Sequence, residues 1–187
     1  DRLADARFAQ ADAMCQLGKF AGAILVFEEV INNYPMSPLV SLAWGRKGDC
    51  QFTLGAEDPA RYDEAIRSYR VVTQSPQARR DHMLQAEYKI GRCLEKLGRE
   101  EASQDHYYAK VMVPFLAAKQ SGEAISESAK VWFTRASLGA AEIATTQKDW
   151  RKLVRILDRI VEANVAVSAE ASTRIKTIKS ENWWLFY

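Results

Sequence analysis

Reactive side chains are few and scattered along the 187 residues. Of the two histidines, His82 lies in the polar run Arg79-Arg80-Asp81-His82 and His106 stands beside Tyr107 and Tyr108. Each is alone, which fits a solvated or helix-capping imidazole better than a general base, because proton transfer needs a second positioned group. The three cysteines, Cys15, Cys50 and Cys93, are odd in number, far apart and without a C-x-x-C spacing. They provide neither a disulfide framework nor a zinc site and are read as free buried thiols. Carboxylates adjoin in Glu28-Glu29 and Glu100-Glu101, but adjacent helix positions point in different directions and form no acid/base pair. H-E-x-x-H, Gly-rich phosphate loops and G-x-S-x-G are missing. The expectation is a protein with no catalytic residues, cofactor or metal, and not an enzyme.

The bulk properties remove further classes. The formal charge is +2, and basic residues alternate with acids along the chain, which is how solvated helix faces look and not how a nucleic-acid footprint looks. No apolar run approaches the roughly 18 residues of a membrane span, so no direct membrane insertion is expected. The chain opens in mid-pattern at Asp1-Arg2-Leu3 and is read as a fragment of a longer protein.

The pattern itself is a repeat. Phe20, Ala23-Ile24, Phe27, Val30 and Pro35 are matched in order by Tyr62, Ala65-Ile66, Tyr69, Val72 and Pro76. A looser copy runs from Leu97-Gly98 through Ala102 and Tyr107 to Pro114, and a degenerate fourth follows Lys148-Asp149-Trp150. Aligned on Gly55 and Gly98, the segments before them place Gly48 over Gly91 and Cys50 over Cys93. A helix-interior glycine costs about 1 kcal/mol relative to alanine, so Gly48 and Gly91 are expected where a facing helix packs against bare backbone, with Ala23 and Ala65 on the opposite side. Gly18, Gly55 and Gly98 are expected to end first helices in the left-handed conformation. Helices are predicted near 2–16, 20–33, 38–54, 61–74, 79–97, 100–119, 123–147, 149–163 and 167–184, with a kink or break just before Pro114.

These residues resemble the tetratricopeptide repeat family. Trp44, Gly48, Gly55, Tyr62, Ala65 and Tyr69 carry the resemblance in the second repeat, and Gly18, Phe20, Ala23, Phe27 and Pro35 carry it in the first. Arg7 stands where the family often has Trp, and Ala56–Ala60 is an insertion. The resemblance implies an all-α, right-handed superhelical solenoid of antiparallel helix pairs. About four repeats plus a C-terminal helix would form a single domain over 1–187. The stretch Phe27 to Pro38 looks like the linker of the bacterial cell-envelope subgroup, which includes the Tol-Pal coordinator and outer-membrane assembly lipoproteins. A periplasmic or envelope location is favoured on that ground, with the cytoplasm as the alternative.

The family's first helices line a concave groove, which implies a protein or peptide partner at Phe8, Asp12, Asp49, Phe52, Tyr88, Arg92, Glu95, Lys96 and Glu142. Phe8, Phe52 and Tyr88 would be aromatic anchors, although Phe8 and Phe52 also suit a core. Arg92 and Lys96, four apart, would hold a carboxylate, although both also suit a solvated face. Trp183-Trp184-Leu185-Phe186-Tyr187 form an apolar run. Trp183, Trp184 and Phe186 either dock on the preceding helices or the next repeat of a longer chain, or make a homodimer or partner contact, with Trp132 and Phe133 grouped on the same surface. The two functional readings are a scaffold or adaptor that captures a partner in its groove, and a self-association module that spaces or oligomerises a larger protein.

Overall fold

The computed structural model of the chain describes residues 2–76 and 78–186, among which no strand occurs. Tyr187 of the terminal aromatic run lies outside them. Two compact units are resolved, residues 1–98 and residues 99–187.

The first unit contains α1 (Arg2–Gln16), α2 (Phe20–Asn33), α3 (Val40–Leu54), α4 (Ala60–Gln74) and α5 (Arg80–Lys96). Each helix packs on the next in sequence, and short links make neighbours antiparallel. This is the all-α helical-repeat arrangement expected of the sequence. Ala23, Phe27 and Val30 of α2 share a core with Ala43 and Cys50 of α3. Tyr62, Ala65, Tyr69 and Val72 of α4 share another with Ala86, Ile90 and Cys93 of α5. Thus the apolar face of each hairpin is closed by the first helix of the following repeat, which is why a single hairpin could not stand alone.

The glycines divide into two kinds. Gly18 and Gly98 take φ of +73° and +70°, the left-handed position that ends α1 and α5 and that costs a residue with a Cβ about 1–2 kcal/mol. Gly55, expected to do the same, has φ of −59° and stays helical. Its reason is space: a Cβ there would lie 2.5 Å from the Tyr62 ring. Gly48 is likewise a notch, because a Cβ would come within 2.6 Å of Tyr69 Cε1. The object filling that notch is an aromatic ring from α4.

The second unit contains α6 (Glu100–His106), a π-helical turn (Tyr107–Met112), α7 (Val113–Gln120), α8 (Glu127–Thr146), α9 (Trp150–Ala163) and α10 (Ser168–Glu181), followed by a 3₁₀ turn over Trp183–Leu185. The kink or break expected before Pro114 takes the form of a π-helical turn: regular α-helix stops at His106 and resumes at Val113. The helix runs on through the π turn, whose wider coil accommodates the missing N–H and the crowding of the proline ring on the preceding turn. The helix expected from residue 123 begins at Glu127, because the Ser126 hydroxyl accepts the Ala129 N–H and fixes the start there. Lys148 holds φ of +55° at the place that Gly18 and Gly98 hold after their helices. Phe115 and Phe133 stack at 4.3 Å in the core, and Lys119 Nζ donates to the Ala163 carbonyl at 2.7 Å at the end of α9.

The two uses of glycine in α3 are separable. A Cβ at Gly45 would meet nothing closer than Val72 Cγ2 at 3.9 Å, so Gly45→Ala should stabilise the fold by about 0.5–1 kcal/mol through helix propensity. Gly48→Ala should instead lose about 1–2 kcal/mol by displacing the buried Tyr69 ring. Urea unfolding of the two variants checks the opposite signs.

Candidate functional site

Measured from Gly18, Gly55 and Gly98, the first helices of the three repeats carry Asp12, Asp49 and Arg92 in one register. Three residues earlier Arg46 and Lys89 share another. The folded unit joins these registers across repeats. Arg46 Nε lies 3.2 Å from Asp12 Oδ1, and Lys89 Nζ lies 2.5 Å from Asp49 Oδ1. Both contacts set the acid of one repeat against the base of the next. Arg46 also approaches Asp49 on its own helix at 4.0 Å, so a ladder of alternating charge climbs from α1 over α3 to α5.

Tyr69 of α4 forms the floor behind this ladder. Its ring lies in the Gly48 notch and its O–H donates to Asp49 Oδ1 at 2.8 Å. Burial, helped by the negative charge of Asp49, pushes the phenol far above its ordinary range, so it remains a neutral donor. The Lys89 ammonium lies 5.6 Å from the centroid of the same ring, within reach of a cation–π attraction.

Between α3 and α5 this arrangement leaves a pocket of about 250 Å³. Ser41, Arg46, Asp49, Gln85 and Lys89 give it polar walls, and Leu42, Val72 and Ala86 give it apolar ones. A second hollow shares Ser41, Leu42 and His82 with it and extends past Met36 and Val71, two exposed apolar side chains. A polar pocket continuous with an apolar rim suits a peptide side chain and its neighbour. Among the described residues no group of three or more His, Cys, Asp or Glu could hold a metal ion, and no helix is long and apolar enough to cross a membrane.

The residues expected in the groove are dispersed. Asp12 and Asp49 belong to the ladder, and Asp49 lines the pocket. Tyr88, Arg92, Glu95 and Lys96 follow on α5, where Tyr88 is half-buried and Lys96 exposed. The Arg92 guanidinium donates to Glu95 Oε2 at 2.5 Å, so it already holds a carboxylate of its own helix. Phe8 sits edge-on to Phe27 at 5.5 Å and Phe52 edge-on to Tyr62 at 5.3 Å, and both pack half-buried on the hairpin cores. Glu142 is exposed on α8 of the second unit.

At the end of that unit Trp183 and Trp184 are 61% and 60% exposed, with ring centroids 6.5 Å apart. Phe186 is half-buried, with Lys179 Nζ at 6.0 Å from its ring, and Arg151 Nε donates to the Leu185 carbonyl at 3.0 Å. Phe133 does not join this surface, because it is fully buried against Phe115.

Arg46, Gln85 and Lys89 were not singled out from the sequence, and Tyr69 was read there only as a repeat aromatic and not as the partner of Asp49. The available signal was the constant offset between acid and base in successive repeats, visible only when one repeat is compared with the register of its neighbour.

Residues 5–37, which contain Gly18, Phe20, Ala23, Phe27 and Pro35, match the family model described as tetratricopeptide repeat. That stretch is the first helical hairpin and the turn after it. No curated protein matches the chain. Tetratricopeptide repeats generally mediate protein–protein interactions.

The two rungs of the ladder differ in exposure. The Lys89 and Asp49 side chains are 23% and 32% exposed, whereas Arg46 is 52% exposed. Double-mutant cycles should therefore give a coupling of about 1–2 kcal/mol for Asp49→Asn with Lys89→Met, and about 0–0.5 kcal/mol for Asp12→Asn with Arg46→Met. Equal couplings would show that the Tyr69 bond and partial burial add nothing to the inner rung.

Proposed function

We propose that the chain is a protein-interaction scaffold whose first unit seats a segment of a partner protein on the face made by α3 and α5. The observation that carries this reading is the pocket beside the Asp49 ladder, open at its rim and continuous with an apolar hollow. The ladder fixes the walls, so the pocket needs little ordering when a ligand arrives, and preorganisation of that kind favours affinity. The Arg46 guanidinium, half exposed, offers donors to an acidic or carbonyl-bearing group. Tyr88, Arg92, Glu95 and Lys96 extend the face along α5. Phe8 and Phe52 serve the reading indirectly, as packing that holds the hairpins. No catalytic role is assigned. The resemblance of Phe27 to Pro38 to envelope linkers supports a bacterial periplasmic setting for the partner.

Gln85→Trp should fill the pocket without touching the ladder, and Tyr88→Ala with Arg92→Ala should strip the neighbouring face. Each should reduce capture of the partner by about tenfold or more in a pull-down from the source cell's extract, with helical circular dichroism unchanged. Undiminished capture by both variants would remove this face from the function.

A second reading has its own observation. Two adjacent tryptophans more than half exposed are an uncommon surface for a monomer, and they support self-association through Trp183, Trp184 and Phe186. Sedimentation velocity should then show a concentration-dependent dimer that disappears when residues 182–187 are trimmed. A monomer at all concentrations before trimming would exclude it.

A further inference from the structure

Cys15 of α1 and Cys50 of α3 belong to consecutive repeats and stand 35 residues apart in sequence, yet their Sγ atoms lie 2.8 Å from each other. That is within an ångström of a bonded separation of about 2.05 Å. The approach is a product of repeat register. Counted from the glycines that follow, Cys15 occupies the position that Phe52 holds in the next repeat, and Cys50 the position of Cys93. Phe52 packs on the core that contains Cys93, as Cys15 packs on the core that contains Cys50. The two repeats thus use the same register positions, filled by Phe52 and Cys93 in one and by two thiols in the other. Asp12 and Arg46 bridge the same pair of helices one turn away, three residues before Cys15 and four before Cys50, so both contacts share one seam.

We propose that Cys15 and Cys50 are a disulfide site that locks the first repeat to the second. Cys15 is partly exposed, whereas Cys50 is buried and its thiol is held well above its ordinary pKa, first by burial and then by its bond to Cys15. The order of events follows from that difference. The Cys15 thiolate attacks one sulfur of a small-molecule disulfide such as oxidised glutathione, breaking its S–S bond and releasing one thiolate. Cys50 then gives up its proton, and its sulfur attacks Cys15 Sγ to expel the second thiolate. The two protein thiols lose two electrons and two protons in all. The small disulfide gains them as two free thiols. Cys93 has no part in this: it is buried, and the position equivalent to Cys15 in the next repeat is held by Phe52, which carries no thiol.

The test uses the whole chain, treated with oxidised glutathione under native conditions, quenched in acid, alkylated in denaturant and weighed intact. The expected product is lighter by two hydrogens, alkylated once, at Cys93, and yields a crosslinked peptide containing Cys15 and Cys50. It should melt higher than the reduced chain by about 5 °C or more, because the closed loop restricts the unfolded state. Cys93→Ala should crosslink as the parent does, and Cys15→Ala should not. Three alkylated cysteines, or a glutathione adduct on Cys15 that persists unresolved, would overturn the proposal. An unchanged melting temperature in the crosslinked chain would overturn the locking role.

Discussion

A tyrosine laid into the missing side chain of a glycine organises the first unit. With no Cβ at Gly48, the Tyr69 ring can lie against the α3 backbone, and its hydroxyl then reaches Asp49, the next residue along the same helix. Asp49 is thereby held in one orientation, with Oδ1 also accepting from Lys89 of the following repeat. A single steric allowance thus sets the packing of α4 on α3, the aim of a carboxylate and the attachment of α5. The electrostatic part is modest by itself, since partly exposed ion pairs contribute little. Its effect lies in direction: an acid-to-base contact repeated between successive first helices specifies which neighbour each helix takes and in what register.

The wall of the pocket follows from the same arrangement. Arg46 and Lys89 are drawn towards carboxylates, which keeps their long side chains along the α3–α5 seam and leaves the space between Ser41, Gln85 and Ala86 open. Long side chains without such partners would spread over an apolar surface and cover it.

Much of this was readable in the residues. The hairpins, the buried alanines at 23 and 65, and the left-handed glycines at 18 and 98 follow from period and turn chemistry. Gly55 was misread because glycine answers two different needs, a positive φ and the lack of a Cβ, and spacing alone does not separate them. The disturbance expected just before Pro114 is present, but the sequence did not say which form it takes, because a helix can widen into a π turn as well as stop. Phe8 and Phe52 suited both a groove and a core, and half-burial on their own hairpins follows from the edge-on contacts with Phe27 and Tyr62. The ladder left only a register offset in the sequence, and the Cys15–Cys50 approach was missed with it, because each is a relation between adjacent repeats, set by how far one hairpin slides along the next.

The ladder also has a polarity. Asp12 and Asp49 each face a base in the next repeat, but the third repeat places Arg92 in that register and satisfies it internally with Glu95. A tandem duplication of the second repeat within this array would insert a further acid-to-base rung without conflict. The same block grafted after the third would bring Arg46 opposite Arg92, cation against cation. Copying the second repeat is therefore electrostatically neutral inside the array and mildly unfavourable after the third repeat, where two partly exposed cations would meet.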